Sequence, residues 1–290
     1  MDMIAYECDL PRPDLTESWN AIKLAESVRA RLLAQSVLAL VLRRQFSFEA
    51  MPIHGLIVLS GVPGTGKTTL ARGLANQVVD TIKGEGSRFI QIDPHALTSS
   101  SLGKSQKEVS KLFQQTIPEA ANNGPCIVLL DEVETLAPDR QRMSLEANPI
   151  DVHRATDAAL AGLDLLARES PNVLLISTTN FPGAVDRALM SRADWVEEFG
   201  LPDAETRGAI ISDTLEQLST AWPDVARRKK EINSFVDASD GLDGRRIRKA
   251  VVSSAAVSVE IAEDLNKLQA DHVITTLKDV VASTQGEEVR

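Results

Sequence analysis

One eight-residue stretch limits what this chain can fold into more than any other. Gly61-Val62-Pro63-Gly64-Thr65-Gly66-Lys67-Thr68 fits GxxxxGK[ST], with the apolar run LIVLS (56–60) before it and a helical pattern from about Lys67 to Val79 after it. That strand–loop–helix context is the one the motif's chemistry requires. Glycines let backbone N–H groups close around a phosphate at a helix N-terminus, where the helix dipole favours anions. Lys67 can then reach the β- and γ-phosphates, and Thr68 can ligate Mg²⁺. Gly61, Pro63, Gly64, Thr65, Gly66, Lys67, Thr68 and the following Thr69 are the nucleotide-binding candidates.

A second element follows at Ile127-Val128-Leu129-Leu130-Asp131-Glu132. A buried strand ending in two carboxylates puts them at the carboxyl edge of a sheet, where the phosphate loop also sits. Asp131 can hold the Mg²⁺ shell, and Glu132 can orient and deprotonate an attacking water. Taken alone, such a pair reads as a helix N-cap with first-turn charge; beside a phosphate loop it reads as catalysis. The strand NVLLIS (172–177) runs into Thr178-Thr179-Asn180. An amide at that tip can bond the lytic water or the γ-phosphate, or it is a turn residue before Pro182. Farther on, Gly241-Leu242-Asp243-Gly244-Arg245 opens a helix whose first turns carry Arg245, Arg246, Arg248 and Lys249. Positive charge there opposes the helix dipole, which points to a nearby anion, to a structural ion pair or to a solvated basic face.

Around these motifs, apolar strands alternate with amphipathic helices: 56–60, 88–92, 127–130, 172–177 and a weaker 195–199. The expectation is an α/β P-loop fold with a parallel five-stranded sheet and flanking helices. Residues 1–16 read as irregular and about 17–46 as one helix, so residues 1–50 form an N-terminal helical segment. Residues 51–202 are then the large α/β domain. After Leu201-Pro202 the strands stop, and 203–290 reads as a small helical lid of four helices, about 204–218, 227–238, 244–264 and 269–282.

Composition narrows the setting. A chain that is 43% hydrophobic and 25% charged is an ordinary globular protein, which excludes disorder and a disulfide scaffold. Cys8 and Cys126 are too few for a disulfide framework, and the four histidines lack metal-ligand spacing. No apolar run is long enough to span a bilayer, and MDMIAYECDL has no basic n-region, so a cytoplasmic protein without a signal peptide is expected. The net charge of −10 argues against a dedicated nucleic-acid binder. No Asn-Lys-x-Asp guanine-reading sequence and no Leu-Ser-Gly-Gly-Gln occur, which argues against a GTPase and a transporter-type ATPase.

The ordered set of GVPGTGKT, IVLLDE, TTN and GLDGR resembles the AAA+ ATPases. DEVETLAPDRQ, PIDVHRATDAALAGLDLL, VDRALMSRADW and GLDGRRIRKA are similar to segments of the HORMA-domain remodellers, the pachytene-checkpoint and thyroid-receptor-interactor family. The resemblance spans about residues 17–260 and implies ATP and Mg²⁺ as cofactors. It puts Asn180 at the first nucleotide sensor, Arg245 at the second, and Arg192 at the arginine finger that reaches a neighbouring subunit's ATP. It puts Ser101, Leu102 and Gly103 in the first pore loop, and Arg140 to Ile150 near the second. It further implies a homo-hexamer that pulls a HORMA-domain protein out of its closed, partner-bound state.

Two departures from the family pattern stand out. Only about 60 residues precede the phosphate loop, too few for the N-terminal substrate-binding domain of eukaryotic members. The pore loop offers Leu102 rather than an aromatic. The absent domain resembles the short bacterial relatives that accompany HORMA proteins and cyclic-oligonucleotide synthases in anti-phage signalling. The implied function is therefore negative regulation of that signalling, with a DNA-directed ATPase such as a loader as the alternative.

Overall fold

The computed structural model describes residues 3–93, 104–139 and 149–288. It forms two compact units: Met1–Ile22, Glu26–Gly61 and Lys67–Phe199 make the first, and Lys23–Ala25, Val62–Gly66 and Gly200–Arg290 the second.

The first unit is built on a six-stranded sheet: β1 (Ile4–Asp9), β2 (Leu56–Gly61), β3 (Arg88–Ile92), β4 (Cys126–Leu130), β5 (Val173–Thr179) and β6 (Trp195–Phe199). The strand order is β1-β3-β4-β5-β2-β6. The pairs among β2 to β6 are all parallel, so the five expected strands are present in the expected sense. Every residue of β2, β4 and β5 is buried, because helices cover both faces and neither face has to be polar. On one face Leu56, Val58, Ile90, Val128 and Leu175 join Phe113, Leu163 and Leu166 in a continuous core.

The sixth strand corrects the expectation that residues 1–16 are irregular. β1 pairs antiparallel with β3, with Cys8 opposite Phe89 and Glu7 opposite Ile90. Its exposure alternates strictly, with Ile4, Tyr6 and Cys8 turned inward and Ala5, Glu7 and Asp9 outward. Arg88 lies 3.6 Å from Glu7 and 3.8 Å from Asp9. The acidic outer face suits an edge strand, and it also hid the apolar alternation among short polar residues.

The single helix expected over about 17–46 is two, Pro13–Ala21 and Glu26–Gln45. The break is built from side chains: Arg29 donates to the Ile22 carbonyl and lies 5.2 Å over the Trp19 ring. Behind Trp19, a Cβ on Gly73 would come within 2.6 Å of the Trp19 backbone, so the helix Lys67–Ile82 meets Pro13–Ala21 at backbone contact. Arg43 closes the helix Pro149–Glu169 by donating to the carbonyls of Leu166, Ser170 and Val173. Burial pushes its guanidinium down to about 10, still charged at neutral pH, where it compensates the orphan carbonyls of a helix end.

The second unit is helical, with a core that includes Ile211, Leu215, Phe235, Ile247, Val251, Val273 and Leu277. Its main helices are Ala204–Ser219, Ile232–Ala238, Gly244–Ser253 and Ala270–Glu288. Two stretches expected as continuous helices are interrupted. Pro223–Glu231 is a 3₁₀ segment before Ile232, and extended Ser258 separates Gly244–Ser253 and its 3₁₀ tail from Val259–Glu263.

Candidate active site

In the first unit the phosphate-loop motif begins where β2 ends. Gly61 has φ +139°, and a Cβ there would collide with the Phe199 carbonyl of the neighbouring strand, so only glycine fits. Lys67, the first residue of its helix, is buried and donates its ammonium to the Gly61 carbonyl at 2.8 Å. One residue on, Thr68 Oγ1 donates to Asp131 Oδ1 at 2.8 Å. Thr69 follows, half-buried, on the same turn. The motif threonine and the first carboxylate of the Asp131-Glu132 pair therefore meet, although 63 positions apart. Two oxygen donors of this kind, one hydroxyl and one carboxylate, suit Mg²⁺, which takes few protein ligands and completes its shell with phosphate and water.

Two residues that the sequence did not flag organise this carboxylate. Thr178 Oγ1 donates to Asp131 Oδ1 and accepts from the Glu132 N–H at 3.1 Å. Gln91 Nε2 donates to Asp131 Oδ2 at 3.4 Å, while Gln91 Oε1 accepts from Arg72 at 2.6 and 3.0 Å. A glutamine inside the apolar run RFIQI and a hydroxyl within TTN were the available signals. Glu132 itself sits at φ 51°, ψ 55°, a left-handed conformation uncommon for a residue with a Cβ and concentrated at functional sites. Glu134 Oε1 accepts from the Asn180 N–H at 3.1 Å, which fixes the tip of β5 beside the acidic turn. Glu134 Oε2 is buried with no hydrogen-bond partner among the described residues.

Arg192 lies in the same unit, after the short helix Arg187–Met190 that Asp186 caps through the Ala188 N–H at 2.8 Å. Its guanidinium is held by Asp164 of the helix Pro149–Glu169. The bond to Arg192 keeps the Asp164 carboxyl below its ordinary range, and the Arg192 guanidinium is raised in turn. Ser101, Leu102 and Gly103 lie outside the described residues, as does most of the segment 140–150.

The second unit contains the rest of the loop, Val62–Gly66, together with the Arg245 helix. Gly64 and Gly66 have φ +84° and +87°, and a Cβ on Gly64 would run into the Asp243 carboxylate. Thr65 Oγ1 donates to the Val62 carbonyl at 3.0 Å, and Arg245 N–H donates to the Gly64 carbonyl at 3.2 Å. Asp243 caps its helix by accepting from Arg245 and Arg246 N–H at 2.9 and 3.0 Å. The basic cluster then divides: Arg246 pairs with Asp243 at 3.5 Å and Arg248 with Asp213 at 2.9 Å, while the Arg245 side chain is exposed. In the run Arg227-Arg228-Lys229-Lys230, Arg227 lies 3.0 Å from Asp224 and Lys229 bonds Glu216. Among the described residues, no helix is long and apolar enough to cross a membrane.

Residues 57–201 match the model of the ATPase family associated with various cellular activities (AAA). The chain is 44% identical over 271 residues to CD-NTase-associated protein 6 of Pseudomonas aeruginosa, covering 93% of this chain and 89% of that protein. It is 30% identical over 263 residues to the putative pachytene checkpoint protein 2 of Caenorhabditis elegans, covering 82% of this chain but 62% of that longer protein. Its fold resembles that in the structure of the E. coli MS115-1 HORMA:CdnC:Trip13 complex, with a TM-score of 0.75, 17% identity and 95% of each chain covered.

Proposed function

The chain belongs to the AAA family of ATPases and is related within it to the pachytene checkpoint proteins, and from that premise we propose that it is a hexameric, ATP-driven remodeller of a HORMA-domain protein. In this reading it releases the HORMA protein from a cyclic-oligonucleotide synthase in the cytoplasm and so switches off an anti-phage signal. The observation that carries the reading is the likeness to CD-NTase-associated protein 6, which runs over nearly the whole of both chains.

The roles follow from the residues. The glycine backbone of 61–66 and Lys67 bind the phosphates, and Lys67 exchanges its bond to the Gly61 carbonyl for them. Thr68 and Asp131 would hold Mg²⁺, which would supply charge neutralisation at the phosphoryl group. Glu132, set by its left-handed turn and by Thr178, orients the water and takes its proton. Asn180, Arg245 and Arg192 supply the first sensor, the second sensor and the finger in trans. Ser101, Leu102 and Gly103 are the proposed grip on the substrate. The DNA-directed alternative is the weaker reading, since Arg246 and Arg248 are already engaged by aspartates.

The test uses Glu132→Gln protein in ATP and Mg²⁺, incubated with a HORMA-domain protein bound to its cyclic-nucleotide synthase. Stable capture of the HORMA protein by Glu132→Gln, and its release from the synthase by wild type, are the expected results. Duplex DNA captured in its place would favour the alternative.

A further inference from the structure

Arg192 is anchored in an unusual way for a residue that must act on another molecule. Nε and Nη2 donate to the two oxygens of Asp164 at 2.7 and 2.8 Å, and Nη1 donates to the Ala188 carbonyl at 2.7 Å. A guanidinium has five N–H bonds. Among the described residues three are used, and the carboxylate occupies the Nε–Nη2 edge. The other two, one on each terminal nitrogen, are donors of the kind that phosphate oxygens accept. The side chain is about one-fifth exposed, at 22%. Asp164 is tied in turn by His54, whose Nε2 lies 3.4 Å from the Oδ1 that also accepts from Arg192 Nε. The anchoring carboxylate thus comes from the long helix Pro149–Glu169, packed into the unit's main core, and not from the short Arg187–Met190 segment that carries the arginine.

We infer that Asp164 is a positioning residue for Arg192: it fixes the guanidinium edge-on, so that the two terminal donors are pre-oriented toward a phosphate supplied by a neighbouring protomer. The inference rests on the proposed finger role of Arg192. An unanchored arginine has to surrender rotamer freedom when it engages its target; one held on its inner edge by a rigid helix has already done so. Asp164 takes the Nε–Nη2 edge, one of the two edges on which a guanidinium can fork an oxyanion, and leaves each terminal nitrogen one N–H for the phosphate. Sequence spacing gives no hint of the pair, since 28 positions separate the partners.

The experiment compares ATP turnover by Asp164→Asn, Asp164→Glu, Arg192→Ala and the double variant Asp164→Asn/Arg192→Ala, with ATP and Mg²⁺. Asp164→Asn should keep KM for ATP within about twofold and lose kcat about tenfold or more, the scale on which a misplaced group costs rate. Asp164→Glu, which restores the charge one methylene out of place, should recover part of that loss, and the double variant should be no slower than Arg192→Ala. Mixing separates the sides of the interface. Equimolar Asp164→Asn and Glu132→Gln protein should regain turnover, since some interfaces pair an intact finger with an intact base, and Asp164→Asn mixed with Arg192→Ala should not. Arg192→Ala at near wild-type rate would remove the finger reading itself. With Arg192→Ala inactive, unchanged or faster turnover by Asp164→Asn would overturn the positioning role alone, as would rescue of Asp164→Asn by Arg192→Ala. If Asp164→Asn does not fold, Asp164→Glu carries the same mixing test: rescue by Glu132→Gln supports the role, and rescue by Arg192→Ala overturns it.

Discussion

Lys67 and Glu132 make opposite demands on their surroundings, and that difference separates binding from chemistry at the level of single residues. Lys67 is buried with its ammonium on the Gly61 carbonyl, a bond that phosphate replaces in the proposed function. Glu132 has its backbone turned left-handed and its N–H held by Thr178. Lys67→Ala should therefore abolish nucleotide binding, read as loss of a fluorescent ATP analogue's polarisation signal. Glu132→Gln should retain that signal and lose phosphate release, since the phosphate contacts remain while the base is gone. Phosphate release by Glu132→Gln near the wild-type rate would end the base assignment. These two residues were legible because each lies in a contiguous motif with its own local context. Thr178, Gln91 and Asp164 were not, because their partners are 47, 40 and 28 positions away and meet them only through strand order and helix packing.

Among the elements, the helix Gly244–Ser253 shows how one side chain can set a start. Asp243 is extended at φ −73°, ψ 162°, and its Oδ1 accepts two N–H groups from the first turn. The basic residues that follow oppose the dipole, and two of them are compensated by Asp243 and Asp213. Asp243→Ala should cost about 1 kcal/mol and lower the midpoint of thermal unfolding by about 2–4 °C, while Asp243→Asn, which can still cap, should lose much less. Equal losses in the two variants, measured by calorimetry, would mean that the charge and not the cap matters. Where the elements departed from expectation, the cause was again a side chain acting across sequence. Arg29 ends the helix Pro13–Ala21 at a place where the apolar periodicity runs on unbroken, and β1 exists only because β3 offers it an edge.

The stability of the whole molecule should carry the signature of one histidine. His54 stands edge-on to Phe48, with ring centroids 5.0 Å apart, and its side chain is largely buried. Burial pushes its pKa below the ordinary value; the carboxylates of Asp194 and Asp164 pull the other way without reversing the shift, and Arg192 adds to it. A depressed folded pKa means that the fold prefers neutral imidazole. Its contribution to stability is present above the unfolded value of about 6.5 and is lost as pH falls through the folded one. Asp164 has a depressed pKa as well, chiefly through its bond from Arg192, but its contribution is lost only at far lower pH, below the carboxylate range. Between about pH 7.5 and about pH 5.5 the histidine therefore dominates within this cluster. The unfolding midpoint should fall across that interval in wild type and fall less steeply in His54→Gln, which cannot take the proton. The opposite order would mean that the imidazolium is the favoured form, paired with Asp164 strongly enough to outweigh burial. In that case the carboxylate would divide its charge between His54 and Arg192, and Asp164 would hold the arginine more weakly below pH 6.5 than above it.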